Sequence, residues 1–164
     1  MARTGTVSID AEAQLFRELY PSLRRFAAVV GPLEVDPDDL VQEAVARALQ
    51  SRRLTELDQP GAYLRRAILN LASNQRRRFA RRRAALLRVR AGADAPADSY
   101  PSDLADLSRL PAEERAVLYL TEVEGYRYRE AGQLIGCSEA AARKRALRGR
   151  RRLFEAIDGE VSHG

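Results

Sequence analysis

The residues that ordinarily carry covalent or acid–base chemistry are scarce in this chain. There is one histidine, His163, one position from the end. Ser-His-Asp catalysis and His-rich metal sites therefore lack the residues they need. There is one cysteine, Cys137, so neither an internal disulfide nor a cysteine metal cluster is expected. Cys137 reads as a small buried hydrophobe. Asp38, Asp39 and Glu43 form an acidic group, but no oxygen-ligand loop surrounds them. The aspartates fit better as complements to a helix N-terminus. These observations predict no enzyme, no cofactor and no metal.

Arginine is abundant instead. The formal net charge is +5, and it is unevenly spread. Between Asp58 and Asp94 there are ten arginines and no acid. Between Glu139 and Glu155 there are seven basic residues and no acid. The two windows hold 17 of the 28 cations, leaving 11 against 23 acids elsewhere, a net of −12. Two cationic islands on an acidic background suit two contacts with a polyanion. Lys144 is the only lysine. A GC-rich coding sequence would explain that bias without function, but arginine also suits bidentate contacts to phosphate and guanine.

The elements that must position these islands read as helices. The chain has 164 residues, 45% hydrophobic and 31% charged, a globular profile that allows one medium domain or two small ones. It has no run of 18 apolar residues, so no transmembrane helix is expected. Met1 to Asp10 lacks the apolar stretch of a secretory leader, and the reading is cytoplasmic. Leu15, Phe16, Leu19, Leu23, Phe26, Ala27 and Val30 share one helix face, with a kink or break expected at Pro21. Asp36-Pro37-Asp38-Asp39 opens a second helix, with Asp36 as N-cap and Pro37 at N1. Its apolar stripe is Leu40, Val41, Ala44, Val45, Ala48 and Leu49. Its opposite face carries Asp39, Gln42, Glu43 and Arg47. A third helix is expected over about 60–83, burying Leu64, Ala67, Ile68, Leu71 and Ala72. Arg65, Arg66, Asn70, Asn74 and the Arg76–Arg83 cluster are left to solvent or ligand.

Residues 91–103 have linker composition. Beyond them lie three more helices. One starts at Leu110-Pro111 and stops at Gly125. A second covers Tyr128 to Ile135, and a third covers 139–156 with Ser138 as N-cap. Neither a period-2 strand pattern nor a 20–50 residue repeat is present.

Gly132 and Gly136 have the spacing of a helix-turn-helix. The first is small where the next helix crosses closely, and the second is a turn residue. Ala131, Ile135, Cys137 and Ala142 would face the core. The following helix would expose Ser138, Glu139, Ala141, Arg143, Lys144, Arg145 and Arg148. Its N-terminal half would enter a major groove, and its later arginines would meet phosphates.

Taken in order, Asp39-Leu40-Val41-Gln42-Glu43, Ala62-Tyr63-Leu64-Arg65-Arg66 with Asn70-Leu71-Ala72, Leu110-Pro111 with Arg115, Val117, Leu118 and Leu120, and Glu124-Gly125-Tyr126 with Tyr128 and Glu130 resemble an ECF-type (extracytoplasmic function) sigma factor of bacterial RNA polymerase. The likeness spans roughly residues 12–156. It implies an all-α fold of two small domains. These are sigma region 2 over 10–86 and a helix-turn-helix region 4 over 105–158, joined by a linker at 87–104.

The resemblance also implies roles. Asp39, Leu40, Gln42, Glu43 and Arg47 would meet the β′ clamp helices of core polymerase, and the second lobe would rest on the β flap. Asp58, Tyr63, Arg65, Arg66, Asn70, Asn74, Arg76 and Arg77 would capture the non-template strand of the −10 element. Ser138, Glu139, Ala141, Arg143, Lys144, Arg145 and Arg148 would read the −35 duplex. An anti-sigma factor is a further implied partner, and a membrane is not. The chain departs from the family pattern at Tyr63, often Trp, and at Asn74, often Asp. It also has Gly132 for Ala, Ala142 for Val, and Ala140-Ala141 for a common Gly-Thr. The competing reading is a free-standing helix-turn-helix regulator that binds duplex operators without polymerase.

Overall fold

The computed structural model describes residues 4–90 and 108–161. The expected linker, 91–103, lies outside them. All regular structure among the described residues is helical. The first lobe comprises α1 (Thr4–Val30), α2 (Pro37–Ser51), a 3-10 turn at Leu54–Glu56, and α3 (Pro60–Val89). The second comprises α4 (Ala112–Leu118), α5 (Tyr128–Ile135) and α6 (Glu139–Val161).

The first lobe is a three-helix arrangement in which each helix packs on the other two. Leu23, Phe26, Ala27 and Val30 of α1 meet Leu40, Val41, Ala44 and Ala48 of α2 and Leu64, Ile68, Leu71 and Ala72 of α3 in one core. Pro21 does not break α1, which runs as one helix through it. The proline removes one backbone donor, but apolar anchors hold both flanks. Leu15, Phe16 and Leu19 pack on the core before it, and Leu23 and Phe26 do so after it.

The chain leaves α1 at Gly31, where a Cβ would sit 2.7 Å from Leu40 Cδ1 and 2.8 Å from the Ala27 carbonyl oxygen. Asp36 then caps α2, its carboxylate accepting the Asp38 amide at 2.8 Å. Asp36→Ala is expected to cost about 1 kcal/mol by loss of this cap, readable as a lower denaturation midpoint with an unchanged m-value. The apolar stripe expected for α2 is too wide by one residue. Leu49 is 47% exposed, because no element covers the last turn on that side. The third helix runs six residues beyond its expected end, to Val89. Its terminal stretch is exposed, so propensity rather than burial extends it; Ala, Arg and Leu are good helix formers.

In the second lobe, α4 starts after Pro111, which occupies the N-cap. It continues as a π-helical segment, Tyr119–Val123. This wider turn interrupts the ordinary helical period and was not expected. Glu114 is buried and receives Arg152 at 2.9 Å and Arg148 at 3.9 Å, tying α6 to α4.

The two lobes pack against each other, α4 on α1 and α3, and α5 on α3. Arg115 of α4 is only 4% exposed. Its guanidinium donates to the Val30 carbonyl at 2.8 Å and the Gly31 carbonyl at 3.3 Å. These groups close the C-terminal end of α1, where carbonyls lack helical partners. Burial, and secondarily the charge of Arg76, lower the Arg115 pKa to about 10. The group therefore stays cationic at neutral pH.

Candidate nucleic-acid interface

The helix-turn-helix is built from α5 and α6. Gly136 sits in the left-handed region at φ +81°, which favours glycine. A Cβ on Gly132 would lie 2.6 Å from the Cys137 carbonyl oxygen, so the turn closes directly onto α5. Both glycines singled out in the sequence thus have a steric cause. Ala131, Ile135, Ala142 and Ala146 are buried between the helices, and Cys137 is partly buried. Ser138 caps α6, its hydroxyl accepting the Ala141 amide at 3.1 Å.

The exposed face of α6 carries Glu139, Ala140, Arg143, Lys144, Leu147 and Arg148. Arg143 donates to Glu139 at 2.7 Å, and its guanidinium carbon lies 5.2 Å from the Tyr128 ring centroid. The Glu139 hydrogen bond raises its pKa. These contacts orient the guanidinium on the side where α5 and α6 meet. Ala141 and Arg145 are partly buried, because they flank the strip of Ala142, Ala146 and Gly149 that packs inward. They therefore sit at the edge of the face rather than its centre. Sequence reasoning missed Leu147, which is 67% exposed and lies one turn beyond Arg143. Its position on the arginine face was the available signal. It also missed Tyr128, whose ring supports Arg143 and whose hydroxyl accepts from Arg150 at 3.0 Å.

The first island is divided by the fold. Asp58, Arg66, Asn70, Asn74 and Arg77 are exposed, and Tyr63 is 39% exposed. Leu57, Asp58, Gln59, Ala62, Tyr63 and Arg66 line a depression of about 290 Å³. Arg65 is not available to a ligand. It is 9% exposed and donates to the Ser22 hydroxyl at 3.3 Å. It shares the face of Leu64, Ile68 and Leu69, which turns toward α1. Arg66 donates to the Gln133 carbonyl at 2.6 Å. Arg76 donates to the Ser108 carbonyl at 2.8 Å and to that of Leu110. Both arginines are thus engaged by the second lobe, a use the charge pattern did not reveal. Arg77 donates to Asn74 at 2.8 Å.

On α2, Asp39, Gln42, Glu43 and Arg47 share an exposed face, with Arg47 on Glu43 at 2.6 Å. Leu40 does not join them; it is buried among α1 and α3 residues, as its place in the apolar stripe requires. Among the described residues there is no group of three or more metal-ligating side chains and no helix long and apolar enough to cross a membrane.

These features define a two-lobe helical protein with a helix-turn-helix in its second lobe and a cationic helix in its first. The Sigma-70 region 2 model matches residues 15–83, and the Sigma-70, region 4 model matches residues 107–153. The ECF RNA polymerase sigma factor SigE of Mycolicibacterium smegmatis is 32% identical, covering 94% of this chain and 68% of its own length. The solved CnrH, in complex with the cytosolic domain of CnrY, is 29% identical with a TM-score of 0.56, covering 92% of this chain and 89% of CnrH. The Bartonella quintana sigma factor RpoE, in complex with the anti-sigma factor NepR, shares the fold at 24% identity and a TM-score of 0.56, covering 89% and 96% of the two chains. The chain belongs to the ECF sigma factors of RNA polymerase. It acts with core polymerase and promoter DNA in transcription initiation, and a free-standing regulator is not favoured. Sigma factors as a class are non-catalytic initiation factors.

Proposed function

We propose that the chain divides promoter recognition between its lobes, with region 2 over 10–86, a linker at 87–104 and region 4 over 105–158. In this reading α6 lies in the major groove of the −35 element. Arg143 and Lys144 face base edges, Arg148 faces phosphate, and Ser138, Glu139, Ala141 and Arg145 form the rim. The observation that carries it is the capped, glycine-turned α5–α6 pair with its cationic exposed face. The −10 strand runs past the Tyr63 depression and along Arg66, Asn70, Asn74, Arg76 and Arg77, with Asp58 at its mouth. Arg65 supports α3 from within. The chain itself performs no catalysis and works in the cytoplasm.

The two promoter elements lie about 25 base pairs apart, some 85 Å at about 3.4 Å per step. A compact chain of this length has a radius of gyration of only about 15 Å. The lobes therefore separate on the promoter, and Arg66 and Arg76 exchange carbonyl partners for phosphates. An anti-sigma factor that favours the packed lobes would oppose this step. Support for such a partner comes from the similar fold of RpoE, whose solved complex contains one.

Purified chain with core polymerase on a promoter library tests the reading. Sequence-specific initiation is expected. Its absence, while another sigma factor initiates normally, would refute it. The exposed α2 face supplies a separate test. Gln42→Ala with Glu43→Lys should weaken core binding about tenfold or more. Folding should change by no more than about 0.5 kcal/mol, since only the i,i+4 pair with Arg47 is lost. Unchanged affinity would remove α2 from the polymerase interface.

A further inference from the structure

Between the lobes lies a cavity of about 270 Å³. One face of α3 lines it at helical spacing with Arg76, Phe79, Ala80 and Arg83, the turn before α2 adds Pro32, Leu33 and Glu34, and Ser108 and Arg115 come from the second lobe. Three guanidinium groups line it with a single lining carboxylate, Glu34, which reaches Arg83 only at 3.8 Å, while Arg76 and Arg115 each donate to two backbone carbonyls. The buried Arg115 Nε has no hydrogen-bond partner, a cost that native structures normally avoid. Arg76 and Arg115 also oppose each other electrostatically, since the charge of Arg76 contributes to the lowered pKa of Arg115. A small anion would relieve both conditions. The arginine fork matches phosphate oxygens. Phe79, Pro32 and Leu33 offer an apolar wall for a flat ring, and the volume lies just below the usual range for small-molecule pockets.

We propose that this interlobe cavity binds a nucleoside phosphate, with its phosphates on Arg83, Arg76 and Arg115 and its base against Phe79. This goes beyond promoter recognition. Because the lining comes from both lobes, such a ligand favours their packed arrangement.

Titration of the full chain with ADP tests the proposal, with adenosine and ionic-strength-matched sodium chloride as controls. A ligand that binds only the folded state raises the unfolding midpoint, by about 3–5 °C at ten times its Kd. ADP is expected to give that shift and a saturable calorimetric signal, and adenosine to give neither. Arg83→Ala should abolish the response. Arg83 has a 74% exposed side chain, so its loss leaves the core intact. Arg88→Ala, outside the cavity, should retain the response. No ADP response beyond that of sodium chloride, or one equally strong in Arg83→Ala, would overturn the proposal. Initiation by the untreated chain with core polymerase is scored separately, so failure of the sigma reading remains distinguishable.

Discussion

Arg143→Ala combined with Lys144→Ala is expected to lower use of promoters that depend on the −35 element by about 10²- to 10⁴-fold, as two lost base contacts would require. Core binding should not change, because both residues lie on the exposed face of α6 and away from α2. The fold should survive, since α6 is held by Ala142, Ala146 and Gly149 on its other side. Quantitative initiation assays on wild-type and −35-scrambled promoters check this. The double variant should perform on the intact promoter as the wild type does on the scrambled one. Arg145→Ala, at the edge of the face, should have a smaller effect. If Arg145→Ala is the more damaging change, the rotation of α6 on DNA differs from the one proposed.

The largest loss of stability is expected at Phe26. Its side chain is fully buried among α1, α2 and α3 residues. Phe26→Ala removes the transfer energy of the ring and leaves a cavity the helices fill only partly, a cost of about 3–5 kcal/mol. That is a large share of the stability of a small domain. Denaturant titration followed by far-UV circular dichroism should show the first-lobe transition at a much lower midpoint. Core binding should fall with it, because α2 is positioned by this core. A loss below about 1 kcal/mol would mean that the α1–α2–α3 packing described above is wrong.

Much of this molecule is readable from local pattern. The capping of α2 follows from Asp36-Pro37 alone, because a carboxylate and a fixed φ act within one turn. The helix-turn-helix is equally local. Gly132 and Gly136 are four residues apart, and the chain between them has few ways to close. The exposed groups on α2 and α6 follow from the 3.6-residue period.

Position in space was less readable. Arg65 shows the limit within a lobe. Its pattern left it to solvent or ligand, yet it faces inward, because burial depends on which helix lies opposite. Pro21 shows the same limit in the backbone. A local rule predicts a break, and distant apolar anchors override it. Arg66, Arg76 and Arg115 show the limit between lobes. In the sequence Arg66 and Arg76 are cations interchangeable with their neighbours in an island, and Arg115 is one arginine beside two glutamates. In the fold each donates to a backbone carbonyl of the opposite lobe. Residue type and spacing thus established two helical lobes, their caps, their turn and the polyanion they serve, because those depend on interactions a few residues apart. Only the tertiary structure decided which arginines are exposed, which hold the lobes together and which line the cavity between them. Those assignments rest on contacts between residues tens of positions apart, and charge and period carry no record of such pairings.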